Sequence, residues 1–544
     1  MTVIFSWLSV ILLAEAAQYA LAPALRPSLR KRSLALWTLQ LSLLTALFLA
    51  CLLITARPLL AALLSIALLA TIWVINKAKY HALREPLVFS DVYLYLQVLS
   101  HPRLFLPFLP IPLTLAALAT GFSLLGASLY FEPALSYPAL AFYSLGLLVL
   151  LGCMGLIYYL ARSLSLSFEP LKDTQALGLW NTLLVHAVQA VQSKQKHYLQ
   201  QLVTQASPYQ SSDLAIADED KIPSISPFAK GSAFQEKQES IGGSPPLKKE
   251  EQGGFPDLIV VQSESFFDAR RLNAPIRPSV LQHFTQAQQQ AHLYGQLQVP
   301  AWGANTLRPE YAFLSGLANE RLQHYRYNPY QFLQAWPSAT LASYLQQLGY
   351  YCICIHPNDA AFFKRATVFP LFGFDEFIDI QSFADAPRQG AYVSDAAVQD
   401  KIAAVLQQRQ RHSPQQPNFI FVITMENHGP LHLESWQDNE LATYYTQAPF
   451  TQHHDLTVYL RHLQNADHML HTLMQSLSQQ ERAALLCWYG DHVPSMPQVY
   501  QVLDFKGGHT DYLLWHNKKT AQQAHEQILA IEALGLKLLQ LADL

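Results

Sequence analysis

Acids, imidazoles, one guanidinium and one hydroxyl gather in five short stretches: Val260-Val-Gln-Ser-Glu264, Ala304-Asn-Thr306, His356 to Arg365, Met425-Glu-Asn-His428 and Gly490-Asp491-His492. Glu264, Asp491 and His492 supply two carboxylates and an imidazole, a donor set for one divalent metal ion. It suits manganese, magnesium or zinc without selecting among them. A metal beside Thr306 would turn its hydroxyl into a nucleophile at neutral pH. A lone threonine ordinarily caps a helix or sits in a strand; its company singles this one out. His428 and His356 could hold phosphoryl oxygens or protonate a leaving alcohol, and Arg365 offers a two-pronged contact to phosphate. Together these are the parts for chemistry on a phosphate or sulfate ester. His453, His454, His462 and His471 lie along or just before a polar helical stretch and receive no role.

The elements that must position these groups are legible around them. Residues 257–262, 351–355, 418–424 and 483–489 are short apolar runs of the buried-strand type, and each runs out into one of the polar stretches. Helical patterns separate or follow them at 338–348, 394–410, 456–478 and 521–539. Such alternation predicts a mostly parallel sheet sandwiched by helices, with ligands bound beyond the carboxyl ends of the strands.

Composition splits the 544 residues in two. Five apolar runs, at 3–21, 34–56, 58–75, 108–131 and 137–161, are long enough to cross a bilayer as helices, although the first contains Glu15. The reading is therefore a five-span membrane domain (1–161), an amphipathic juxtamembrane helix (162–205), a flexible linker (206–255) and a catalytic domain (256–544). Trp180, Leu184, Val188 and Val191 share a face of the stretch 178–202, which is expected to ride the membrane surface. The loop 83–106 is too polar to span and reads as an ordinary connector, although its aromatics, Asp91 and basic flanks could form a lid at the headgroups. A net charge of −3 argues against a nucleic-acid partner. The five cysteines lack metal spacing and read as small apolar residues of spans and strands.

At this point the motifs resemble the lipoteichoic acid synthase and phosphoglycerol transferase family, within the alkaline phosphatase and sulfatase superfamily. The strand-Glu-Ser opening is seen at Glu264-Ser265. The family's Thr-x-x-x-Glu-Phe nucleophile motif is similar to Thr306-Leu-Arg-Pro-Glu310-Tyr311, and its His…Phe-Trp-x-Arg segment to His356, Phe362, Phe363 and Arg365. Asn427-His428 and Asp491-His492 match further motifs. Phe363 stands where Trp is usual, and Asn305 where Lys often precedes the nucleophile. No Cys-x-Pro-x-Arg occurs, so the formylglycine route of true sulfatases is missing.

The resemblance implies Thr306 as nucleophile, Glu264, Thr306, Asp491 and His492 around the metal, and His356, Arg365, His428, Phe363 and Asn305 at the substrate. Manganese is the first expectation for the cofactor, with magnesium or zinc as alternatives. The implied reaction moves a phosphoglycerol, or related phospho-alcohol, from a membrane phospholipid such as phosphatidylglycerol to an exported glycan or glycerol-phosphate acceptor. A phosphodiesterase or sulfuric-ester hydrolase, a phosphoethanolamine transferase, and a non-catalytic membrane scaffold are the other readings. The family places its catalytic domain outside the cytoplasmic membrane. Arg26, Arg30, Lys31 and Arg32, with Lys77, Lys79, Arg84 and Arg103, argue the reverse by the positive-inside rule. The expectation follows the resemblance.

Overall fold

The computed structural model describes residues 1–27, 32–92, 111–136, 139–210, 254–519, 521 and 523–544. Arg30, Lys31, Arg103, most of the loop 83–106 and most of the linker 206–255 lie outside the described residues. The chain forms two compact units, one of Met1–Tyr198 with Gln323–Tyr327, the other of Leu199–Leu322 with Asn328–Leu544.

The first unit is helical. Its long helices are Thr2–Tyr19, Leu34–Thr55, Pro58–Leu83, Ile111–Phe131 and Ala139–Ala161. Among the described residues, four helices are long and apolar enough to cross a membrane; in the fourth of the five expected runs, the shorter piece Leu118–Phe131 remains. Glu15 is tolerated because Arg32 reaches it at 2.6 Å, and Gln18 donates to its other oxygen at 2.9 Å. A buried charge survives when it is paired and hydrogen-bonded.

One expectation for this unit needs correcting. The stretch 178–202 is not one surface-riding helix: it breaks between Leu179–Ala190 and Ser193–Gln205, and Gly178 opens it at φ +83°. Trp180 is only 2% exposed, and its indole N–H donates to the Ala14 carbonyl at 3.0 Å. Packing against the apolar face of neighbouring helices removes more surface from water than lying at an interface would. Asp91, which in a lid could have faced headgroups, is also buried. It accepts from Lys79 Nζ at 2.6 Å and from the Val88 N–H at 2.9 Å.

The second unit is built on a mixed sheet. Its strands are β1 (Asp257–Ser263), β2 (Leu293–Gln298), β3 (Tyr351–Ile355), β4 (Glu376–Ile378), β7 (Asn418–Ile423), β8 (Ala484–Gly490), β9 (Thr510–His516), β10 (His525–Glu526) and β11 (Leu529–Ala530). A separate hairpin pairs β5 (Arg388–Gln389) with β6 (Tyr392–Val393). The order is β10-β2-β9-β8-β1-β7-β3-β4, with β11 also on β2. The central strands β8, β1, β7, β3 and β4 run parallel, while β9 is antiparallel to both neighbours.

Every residue of β1, β7 and β8 is buried. That is why these strands read as continuous apolar runs rather than alternating ones. The helices Asp395–His412 and His454–Ser478 contribute Val398, Ile402, Leu460 and Leu463 to the core over the sheet. The expected helix 521–539 exists only as Ile531–Leu541; its first half holds β10 and β11, which pair with β2. Edge pairing satisfies more backbone there than an isolated polar turn of helix would.

Candidate active site

The parallel strands β1, β7 and β8 end side by side, so the residues following them meet at one edge. Glu264 follows β1, and Asp491 and His492 follow β8. Their ligating atoms lie within 4.8 Å of one another, and all three side chains are buried. His492 Nε2 is 3.3 Å from Asp491 Oδ2 and 3.5 Å from Glu264 Oε1.

The surroundings decide which atoms stay free. Asp491 Oδ1 accepts the backbone N–H groups of Ser265 (2.8 Å) and His492 (2.9 Å). His492 Nδ1 donates to the Val493 carbonyl at 3.0 Å. Asp491 Oδ2 and His492 Nε2 are left buried without a hydrogen-bond partner. Such orphans are rare in folded proteins and point to a missing ligand.

Burial and the facing Asp491 carboxylate push Glu264 up to about 8. Two carboxylates held this close are starved of positive charge, which a divalent cation supplies. The donor set thus fits the expected metal. Ser265, at φ +54°, braces the corner by donating to Glu264 Oε1 at 2.8 Å. Gly490 is required for closeness: a Cβ there would stand 1.8 Å from the Phe266 carbonyl oxygen.

The loop before the helix Leu307–Ser315 is tied to this corner. The Gly303 N–H donates to the Val493 carbonyl at 3.0 Å, one residue beyond His492. Asn305 turns the chain at φ +71°, a conformation asparagine tolerates. Thr306 then opens the helix, buried, yet its hydroxyl makes no capping hydrogen bond. The ordinary use of a helix-opening threonine is therefore not taken up here. Phe313, two turns on, stacks against Tyr489 at 5.0 Å and Phe421 at 5.8 Å, fixing the helix to the ends of β8 and β7.

On the same helix, Glu310 receives Arg365 in a two-pronged pair, Nη2 to Oε2 at 2.8 Å and Nε to Oε1 at 3.2 Å. Tyr330 donates its hydroxyl to the same carboxylate. Arg365 Nη1 also reaches His356 Nε2 at 3.2 Å, and His356 Nδ1 donates to the Ile423 carbonyl at 3.0 Å. Both ring nitrogens of His356 are thus engaged. Burial and the adjacent guanidinium hold it well below the ordinary imidazole range, and so neutral. Phe363, at φ +55°, lies under the guanidinium with its ring centre 5.2 Å away.

His428 follows β7. Its Nδ1 stands 2.7 Å from the Gly429 carbonyl and 3.0 Å from the Tyr392 hydroxyl. The structure therefore places Glu264, Asp491 and His492 in one corner, the Thr306 loop against it, and His356, Phe363 and Arg365 in one cluster anchored on the Thr306 helix. Burial, first of all, holds the His428 imidazole below its ordinary range.

Tyr392 and the His462 network had no signal in the sequence, and Ser265 was visible only as a motif position. Tyr392 arrives from a hairpin 36 residues away, and His462 sits mid-helix among polar neighbours. Glu310 was visible only as a motif position. The cysteines of the strands, Cys352, Cys354 and Cys487, are buried, and burial pushes their thiols up, away from the reactive thiolate.

The family model described as Sulfatase matches residues 256–544. The capsular polysaccharide biosynthesis protein RkpI of Rhizobium meliloti (strain 1021) is 27% identical over 485 residues, covering 87% of this chain and 80% of that protein. Among solved structures, the Streptococcus pyogenes phosphoglycerol transferase GacH, in complex with sn-glycerol-1-phosphate, is 22% identical with a TM-score of 0.42, covering 52% of this chain and 74% of that one. The lipoteichoic acid synthase LtaP from Listeria monocytogenes is 18% identical with a TM-score of 0.41, covering 53% and 72%. Since the matched residues are more than half of its length, the chain belongs to the sulfatase family.

Proposed function

We propose that the protein transfers a phosphoglycerol, or a related phospho-alcohol, from an anionic membrane phospholipid to an exported glycan or glycerol-phosphate acceptor, through a covalent Thr306 intermediate. The observation that carries this reading is the buried corner of Glu264, Asp491 and His492, with two orphaned ligand atoms, joined through Gly303 to the loop of an uncapped Thr306. The name of RkpI, which this chain resembles over most of its length, supports a glycan on the acceptor side.

When bound by Glu264, Asp491 and His492, a divalent ion, manganese by preference, supplies Lewis-acid chemistry that lowers the Thr306 hydroxyl pKa and offsets phosphoryl charge. Thr306 Oγ attacks phosphorus; the Oγ–P bond forms, and the bond from phosphorus to the diacylglycerol oxygen breaks. His428 takes the proton that Thr306 loses and gives it to that leaving oxygen. In the second half the acceptor hydroxyl loses its proton to His428, its oxygen bonds phosphorus, the Oγ–P bond breaks, and His428 gives that proton to Oγ, restoring both the Thr306 hydroxyl and the neutral imidazole.

We assign His356 to bracing Arg365, because both its nitrogens are engaged. Arg365 keeps one N–H on each terminal nitrogen beyond its pairing with Glu310 and His356, enough to hold two phosphoryl oxygens. Phe363 and Asn305 shape the entry to the transferred group.

The test uses purified full-length protein and headgroup-labelled phosphatidylglycerol, with and without extracted membrane glycans. Label should appear on the glycan. Free labelled glycerol phosphate, formed equally in both reactions, would instead make the protein a phosphodiesterase.

A further inference from the structure

Tyr392 lies on neither a motif nor a main-sheet strand, yet its hydroxyl meets both the ring nitrogen Nδ1 of His428 and the carbonyl that Nδ1 faces. The Tyr392 oxygen is 3.0 Å from His428 Nδ1 and 3.0 Å from the Gly429 carbonyl, to which it donates. The same carbonyl lies 2.7 Å from Nδ1. A carbonyl oxygen can only accept, so Nδ1 must carry the ring proton. With the tyrosine proton spent on Gly429, a lone pair of its oxygen faces Nδ1–H. Nε2 is left as the bare nitrogen, with no hydrogen bond among the described residues.

The hairpin that carries Tyr392 is itself held from two sides. Its turn residue Gly390 adopts φ +59°, and a Cβ there would meet Glu434 Oε1 at 2.3 Å, so the turn rests directly on that carboxylate. Glu434 is fixed by Arg461 Nη2 at 2.8 Å and by His462 Nε2 at 3.1 Å. The other nitrogen of His462 meets Glu426 Oε1 at 3.1 Å, and Glu426 Oε2 accepts the backbone N–H of Asp395, three residues after Tyr392. One carboxylate–imidazole–carboxylate chain thus clamps the hairpin at its turn and at its exit.

We propose that Tyr392 is a positioning residue of the transfer reaction. It holds the His428 imidazole in its Nδ1–H form and so presents Nε2 as the nitrogen that takes and gives the proton of the alcohol. This rests on the reading that His428 serves the transferring group.

The experiment is a double-mutant cycle on the full chain in detergent–lipid micelles with extracted membrane glycans present as acceptor, using headgroup-labelled phosphatidylglycerol and, in parallel, phosphatidylethanolamine. Tyr392→Phe keeps the ring and removes only the hydroxyl. Loss of one hydrogen bond should lower kcat about five- to tenfold, with the apparent lipid KM within about twofold and bound divalent metal unchanged. In a His428→Ala background the same change should cost less than about twofold, because a residue acting through His428 has nothing left to position. A full loss in that background, an effect confined to KM, loss of the metal, or wild-type behaviour of Tyr392→Phe would each overturn the proposal alone. Wild-type turnover by His428→Ala, or no turnover of either lipid by the native chain, would overturn the underlying reading and this proposal with it.

Discussion

Thr306 shows most clearly how residue-scale chemistry can be tested. A threonine that opens a helix normally spends its hydroxyl on the first free N–H groups, and this one does not. Thr306→Ala should therefore leave fold and metal content intact while turnover falls on the order of 10,000-fold or more. Measured metal content alongside lipid turnover checks both halves, and substantial residual turnover would sink the covalent route. Mass spectrometry of the native protein from its own membranes should find a mass increment on the Thr306 peptide, and the increment names the transferred group. The opposite pattern is expected of Asp491→Asn. It removes charge from the corner whose Oδ2 is already unpartnered, so bound metal and activity should disappear together. At this scale the sequence was informative where apolar strands run out into acids and imidazoles, because strand ends of a parallel sheet must converge. It said nothing of ring tautomers or of Tyr392, since those depend on backbone carbonyls and a hairpin that only the folded chain brings near.

Between residue and molecule, two buried charge networks hold the site's elements in register. Glu310, on the helix that begins at Thr306, is the counter-charge to an Arg365 that is only 1% exposed. Glu310→Ala would strand that guanidinium, at a cost of about 3–5 kcal/mol in stability. The double variant Glu310→Ala/Arg365→Met should recover part of the melting temperature and none of the turnover, which separates the structural from the chemical share. The other network is the His462 clamp. Despite burial, hydrogen bonds and charge from Glu426 and Glu434 raise its imidazole to about 9. A group raised in the folded state stabilises most below its unfolded value of about 6.5, and that contribution fades as pH climbs through the folded value. The thermal stability of the full chain should therefore fall between about pH 7 and 10, by on the order of 2–3 kcal/mol, and His462→Gln should flatten that slope. An unchanged slope in the variant would place the charge elsewhere. The four strands read from the sequence, β1, β3, β7 and β8, stood out because burial on both faces fills them mostly with apolar residues. The helix expected at 521–539 failed in its first half because β10 and β11 obtain their order from the β2 edge, a pairing no local pattern contains.

For the molecule as a whole the open question is which side of the membrane the catalytic domain occupies, and two arguments oppose each other. The positive-inside rule counts Lys and Arg near span ends and sets a bias in orientation. Two of the cations it would count are already committed within the helical unit: Arg32 to Glu15 at 2.6 Å, and Lys79 to both Asp91 and Glu85 at 2.6 Å. Buried, paired cations serve the packing of that unit, so the free charge behind the rule is smaller than the sequence count implies. Against the rule stands the proposed chemistry. A phospholipid headgroup destined for an exported glycan must be met where that glycan is, and Thr306 has to be reached by a lipid that stays in its leaflet. We therefore predict an extracytoplasmic catalytic domain. A reporter enzyme active only outside the cytoplasm, fused within the linker at Ser240, should be active, and a cytoplasm-restricted reporter at the same position should be silent. The reverse result would restore the charge count, and transfer to an exported acceptor would have to give way to a cytoplasmic substrate at the same Glu264–Asp491–His492 corner.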